Sequence, residues 1–281
     1  MKHTVFIKKF LAMGTLALML ALALAGCQPV QTTQPGTVGV ERKQLMLVSQ
    51  EDAERAGEAG YAQEKQKYAS RGALNTDKMQ YQRVTAIARN LIPQTAVFRS
   101  DAPGWKWEVN VFTSKEINAY CMPGGKIGVY TGLLNDLKLT DDEVAIVMGH
   151  EIAHALREHS REQMSRAMSE QVLMTGVAII AGMSPGQLDL LQKAATVAIT
   201  LPHSRKDERE ADRIGLELAA RAGYDPRASI SVWKKMQAAN GSGPPQFLST
   251  HPAPESRIDD LEALIPAVMP LYEAARRGNR R

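Results

Sequence analysis

Cysteine is nearly missing from this 281-residue chain, which has Cys27 and Cys121 and no others. A disulfide framework is therefore excluded, and stability must come from an apolar core, a metal, or both. Compositional bias toward disorder is missing as well. Charged residues make up 23% and hydrophobic residues 44%, enough for one well-packed domain and marginal for two. A strong charge of one sign is also lacking. The formal charge is +4, but Lys2, Lys8 and Lys9 precede the first acidic residue, Glu41, and removing those three leaves +1. That is no footprint for a polyanion, so nucleic acid is not an expected partner. Beyond the N-terminus no apolar run approaches the ~20 residues that span a bilayer. The best candidate, residues 172–183, is interrupted by Thr175 and Gly176 and reads as a core helix.

The N-terminus itself reads as a processing signal. A basic region ends at Lys8-Lys9, an apolar stretch runs from Phe10 to Ala25, and Leu24-Ala25-Gly26-Cys27 follows. That tetrapeptide resembles a bacterial lipobox, which implies cleavage before Cys27 and lipidation of its thiol. Gln28 in the next position implies, by the same resemblance, an outer-membrane anchor facing the periplasm of a Gram-negative bacterium. Residues 27–42, rich in Gln, Thr, Pro and Gly, read as a lipidated flexible tether, with the folded domain from residue 43 to 281.

Within that domain Ser49 and Asp52 are spaced to cap a helix reaching toward Tyr68, and residues 75–91 carry Met79, Val84, Ile87, Ala88 and Leu91 at helical spacing. The period then changes. Trp107, Val109 and Val111 alternate with polar residues as in a half-buried strand, residues 116–122 form a second extended segment, and Pro123-Gly124-Gly125-Lys126 is a turn into a third strand, residues 127–130. A small meander or hairpin sheet is expected. Thr140 and Glu143 form a capping box that opens the next helix. Further helices are expected at residues 161–183, 186–200, 204–221 and 228–239, and a final pair after the loop at residues 240–245. The fold class is α+β, mainly helical.

The helix opened by Thr140 carries His150-Glu151-Ile152-Ala153-His154. Residues four apart differ by about 40° around a helix, so both imidazoles leave one face and can reach one zinc ion. Glu151 can then reach a water beside the metal. Apolar neighbours at Val144, Val147, Met148, Ile152 and Ala155 place the motif in a buried cleft. A third ligand is needed. His159 lies nine residues past His150, about 180° around a continued helix, so it is expected to be exposed and is rejected. Glu208 and Asp212, again four apart, could provide one carboxylate for the metal and one to accept from a ligand histidine. Cys121, a lone thiol in a strand, reads as a small buried hydrophobe rather than a ligand.

The motif followed by Glu-x-x-x-Asp on a later helix resembles the HtpX and CAAX-prenyl-protease type of gluzincin peptidases. Asn118 to Gly125, Ile127 to Leu134 and Ser249-Thr250-His251-Pro252 also match. Among subgroups the chain is most similar to the periplasmic lipoprotein proteases of the LoiP type and to the BepA catalytic domain, from about Lys43 onward. The resemblance implies a zincin-like domain with a small, mostly antiparallel sheet and an HExxH active-site helix. It implies one zinc held by His150, His154 and Glu208, Glu151 as general base, and Asp212 supporting a ligand. It also implies that His251 regulates the centre by occupying the metal, a role that competes with donation to an oxyanion. The expected activity is zinc-dependent endopeptidase cleavage of unfolded or misfolded envelope proteins. The rival is a chaperone or assembly factor for outer-membrane proteins, with a structural or latched zinc site; the outer-membrane assembly machinery is then a candidate partner.

Overall fold

The structure is a computed structural model that describes residues 29–180 (171–180 as backbone alone), 202–239, 245–252 and 256–278. Capping sets where its helices begin. The Ser49 side chain accepts from the Asp52 N–H and opens α1 (Gln50–Ala69), and Asp77 accepts from the Gln80 N–H to open α2 (Lys78–Leu91). Two short 3-10 turns, Ile92–Val97 and Ala102–Gly104, lead into the sheet.

Strands β1 (Glu108–Phe112), β2 (Ala119–Met122) and β3 (Lys126–Tyr130) form a sheet of order β1-β3-β2. β2 pairs antiparallel with β3, Cys121 opposite Ile127, while β1 lies parallel to β3 with Val111 opposite Val129. The sheet is thus mixed. The hairpin is present, but β1 joins on the far side of β3 instead of continuing a meander. Its turn needs glycine: Gly124 and Gly125 have φ of +79° and +81°, and a Cβ on Gly125 would lie 2.7 Å from the Trp107 ring. The half-buried alternation fails at the end of β1, where Asn110, Val111 and Phe112 are all buried. Val111 enters the main core, whereas Phe112 packs on the other face with Tyr61 and Tyr68 of α1 and with Tyr130. Helix α1 therefore covers the face that would otherwise meet water.

A short α3 (Thr131–Asn135) precedes α4 (Asp141–Leu156), which begins with the complete Thr140/Glu143 capping box. Every residue from Glu143 to Leu156 is buried. A helix covered all round belongs at the centre of a domain, and α4 packs against β2, α2, α6 (Arg205–Arg221) and α7 (Ala228–Ala238). The remaining elements are α5 (His159–Ile180), α8 (Gln246–Thr250) and α9 (Arg257–Gly278), the last packed on α6. Among the described residues no helix is long and apolar enough to cross a membrane.

Residues 29–42 do not hang free as a tether. Val38 and Val40 are buried in the main core. The Glu217 carboxylate accepts from the Thr37 and Val38 N–H groups at 2.8 and 3.1 Å. Arg213 donates to the Val38 carbonyl, and Val30 and Gln44 form a β-bridge that closes the segment on itself. Polar side chains of the segment are used as well: the Thr32 and Thr33 hydroxyls accept from Nη1 of Arg157 at 3.0 and 3.2 Å. Cys27, the signal segment 1–26 and the helix expected at 186–200 lie outside the described residues.

Candidate metal centre

The centre is made where α4 and α6 cross. At that point Gly149 faces Gly215 backbone to backbone. A Cβ on Gly149 would sit 2.7 Å from the Gly215 carbonyl oxygen, and one on Gly215 would sit 2.6 Å from the His150 nitrogen. With no side chain between them, the helices bring residues 150–154 of one against 208–212 of the other. The Ser204/Asp207 capping box fixes where α6 starts, and with it the heights of Glu208 and Asp212 along the crossing.

His150, His154, Glu208 and His251 are all buried and each offers one ligand atom, all four within 4.8 Å of one another. Nε2 of His150 lies 3.3 Å from Oε2 of Glu208, and Nε2 of His154 lies 3.4 Å from its Oε1. The two Nε2 atoms are 3.1 Å apart. His251, which ends α8, places Nδ1 3.0 Å from Oε1 of Glu208. Behind the cluster, Nδ1 of His150 meets Oδ1 of Asp212 at 3.0 Å. Arg257, at the start of α9, donates to both carboxylates at 2.6 Å, from Nη2 to Glu208 and from Nε to Asp212. Its guanidinium lies 3.9 Å from the Trp233 ring centroid, a cation–π contact inside the core.

The electrostatics follow from that geometry. Burial would push Glu208 upward, but His251, His150 and His154 outweigh it and hold the carboxyl far below the usual range. Burial likewise opposes the charge on His150, yet its bonds to Asp212 and Glu208 raise it to about 9. His154 moves the other way, lowered by burial and by the neighbouring His203, whose ring stacks on it at 4.1 Å. Burial raises Glu151. Its Oε1 has no hydrogen-bond partner; Nε2 of His251 is 3.5 Å away, too distant for a good bond.

These residues fit a divalent metal. Three imidazoles and one ionised carboxylate converge in a buried space, and a carboxylate oxygen beside them is left unpaired. An orphaned buried acceptor is costly, and a water positioned next to a cation would satisfy it. Nitrogen and oxygen donors in this number suit a tetrahedral transition-metal site.

Residues 78–265 match Peptidase family M48. The chain belongs to that family. Among curated relatives, the "Mitochondrial metalloendopeptidase OMA1" of Arabidopsis thaliana is 41% identical over 158 residues, covering 56% of this chain and 31% of the relative. The Bos taurus "Metalloendopeptidase OMA1, mitochondrial" is 34% identical over 83% of this chain and 46% of its own length. The "Beta-barrel assembly-enhancing protease" of Escherichia coli is 34% identical over 53% of this chain and 32% of the relative. The chain thus spans 31–46% of the length of these relatives. Family and site chemistry together mark the centre as that of a metallopeptidase.

The expected localisation is corrected by the same comparison. An outer-membrane anchor at Cys27 facing the periplasm would call for envelope proteins as the leading relatives. Those with the higher identity or the wider coverage are mitochondrial by name, from a plant, cattle, two yeasts and human.

A further correction concerns a residue near the centre. His159 is fully buried, not exposed. The 180° projection assumed one continuous helix, but α4 stops at Leu156 and Glu158 takes a φ of +54°. That kink turns His159 back, so that its Nδ1 lies 2.9 Å from Nδ1 of His154. Arg257, Gly149 and Gly215 belong to no motif in the sequence. Two glycines inside otherwise good helices are the one sequence signal that a close crossing leaves. Cys121 is buried, and burial pushes its thiol well above the ordinary value, as a structural hydrophobe requires.

Proposed function

We propose that the protein is a zinc-dependent endopeptidase acting on unfolded or misfolded polypeptides. The observation that carries this is the unpaired, buried Oε1 of Glu151 beside the four converging ligand atoms. A purely structural metal site has no use for such a carboxylate. His150, His154 and Glu208 would hold the zinc, which when bound would polarise the scissile carbonyl and acidify a water. Glu151 takes the proton from the attacking water and delivers it to the leaving amine; its raised affinity for protons suits that exchange. Asp212 accepts from Nδ1 of His150 and fixes its tautomer.

Substrate would bind along β2. That strand pairs only with β3 among the described residues, so its other edge is open. A cavity of about 180 Å³ lies there, lined by Asn118, Tyr120, Glu151, His154 and His203 among others. An extended peptide added to this edge would be recognised through its main chain, which favours unfolded chains over a sharp sequence motif. The test is zinc quantitation and digestion of an unfolded protein, with Glu151→Gln alongside. Zinc-dependent cleavage lost in the variant is expected; equal cleavage by both would overturn the assignment.

A latched resting state is favoured by His251, whose Nδ1 already sits among the ligand atoms. On this reading His251→Ala raises turnover. A fall in turnover would instead identify His251 as a donor to the oxyanion.

A further inference from the structure

The second histidine of the motif is gripped from behind by another histidine. His154 turns Nε2 toward His150 and Glu208, and turns Nδ1 toward Nδ1 of His159 at 2.9 Å. His159 in turn sets its Nε2 3.2 Å from Oε2 of Glu210. Two ring nitrogens can bond only if one carries the hydrogen and the other does not. If His154 gives the lone pair of Nε2 to a metal, its Nδ1 must hold the hydrogen. Nδ1 of His159 is then bare, its Nε2 holds the proton, and that proton points at Glu210. One assignment satisfies all three groups.

Glu210 is itself fixed. Its Oε2 accepts from Nε of Arg157 at 2.9 Å and Nη2 of Arg42 at 3.1 Å, and Nε of Arg42 engages Oε1. Arg42 also grips Glu162 through Nη1 and Nη2 at 2.6 and 2.9 Å. Arg42 belongs to the packed N-terminal segment, outside the residues 78–265 that match the family.

We infer that His159 and Glu210 position His154 for the metal, and that Arg42, carried by the N-terminal segment, completes this relay through its contact with Glu210. His159 is a positioning residue that acts through His154. The inference rests on the proposed role of His154 as a ligand. Arg213 provides an internal contrast. It binds the same segment through the Val38 carbonyl, from Nε at 3.0 Å and Nη2 at 2.6 Å, but makes no contact with the relay.

The experiment measures the zinc dissociation constant of the full chain by competition with a chromophoric chelator, with thermal unfolding read on the same samples. His159→Phe, Glu210→Gln and Arg42→Met should each weaken zinc by about 10–100-fold, the usual effect of removing a partner of a ligand histidine. His159→Asn, whose amide oxygen can replace Nδ1 as acceptor, should recover most of the loss. Arg213→Met should stay within about threefold of wild type, since it touches no ligand partner. Where His159→Phe lowers the unfolding temperature, the shape-preserving Glu210→Gln decides. Wild-type affinity in Glu210→Gln and Arg42→Met overturns the relay and leaves the metal centre standing. Equal losses in Arg213→Met and Arg42→Met overturn the role of Arg42. A wild-type chain that binds zinc no better than His154→Ala overturns both the relay and the proposed ligand.

Discussion

Replacing Gly215 with alanine gives the strictest test of how the centre is assembled. The new Cβ would lie 2.6 Å from the His150 nitrogen and 2.8 Å from the Gly149 carbonyl carbon. Ordinary contact begins near 3.4 Å, so α4 and α6 must part by about 0.7 Å, because backbone atoms cannot swing aside. Overpacking of this kind costs about 1–3 kcal/mol, partly offset by the ~1 kcal/mol that alanine gains over glycine inside a helix. The net loss should be about 0–2 kcal/mol in urea unfolding of the metal-free protein. The effect on metal should be larger, because ligand distances tolerate only about 0.2 Å and the parting separates Glu208 from His150 and His154. Chelator competition should therefore show weakened zinc out of proportion to the stability loss. Gly149→Ala should do the same, and the double variant should cost less than the sum, since the first substitution has already opened the crossing. If Gly215→Ala is as stable as wild type and holds zinc as tightly, the crossing does not set the site.

Arg257→Met removes the cation from between Glu208 and Asp212 and leaves two carboxylates buried without it; a loss of about 3–5 kcal/mol in metal-free unfolding is expected, and wild-type stability would refute the pairing. Glu162, bonded by Arg42, Arg166 and Gln44 against the cost of burial, is lowered from 4.5 to about 2. Because the folded value is the depressed one, its contribution of about 3 kcal/mol is complete above pH 4.5 and lost as pH falls toward 2. Glu162→Gln should flatten the stability profile across that window; an unchanged slope would assign it to other groups. Removal of metal by a chelator should abolish hydrolysis and lower the unfolding temperature, and zinc should restore both in proportion to its concentration. An unfolding temperature indifferent to zinc would mean that no folded-state site exists.

Much of the centre can be read from sequence because its signals are local. His150, Glu151 and His154 share one helical turn, and Glu208 and Asp212 share another, so fixed spacing suffices. The caps at Ser49 and Thr140 are legible for the same reason. What escapes is whatever depends on a break or on a distant partner. His159 follows a chain reversal in which Glu158 takes a positive φ just past the end of α4, a conformation no residue type announces. The parallel pairing of β1 with β3 joins strands that have β2 between them in the chain, an order that strand composition does not encode. Residues 29–42 look like a linker because their partners, Glu217, Arg213 and Arg157, lie more than a hundred residues away. Arg257 is one arginine among many until the fold places it over Trp233.

The contact of Gly149 with Gly215 also sets how the centre responds to change. The metal-binding ends of α4 and α6 are located by a backbone-to-backbone stop, not by the length of chain that joins them. A single methyl group at either glycine therefore moves the ligands of one helix against those of the other together, because a close-packed contact transmits strain instead of absorbing it.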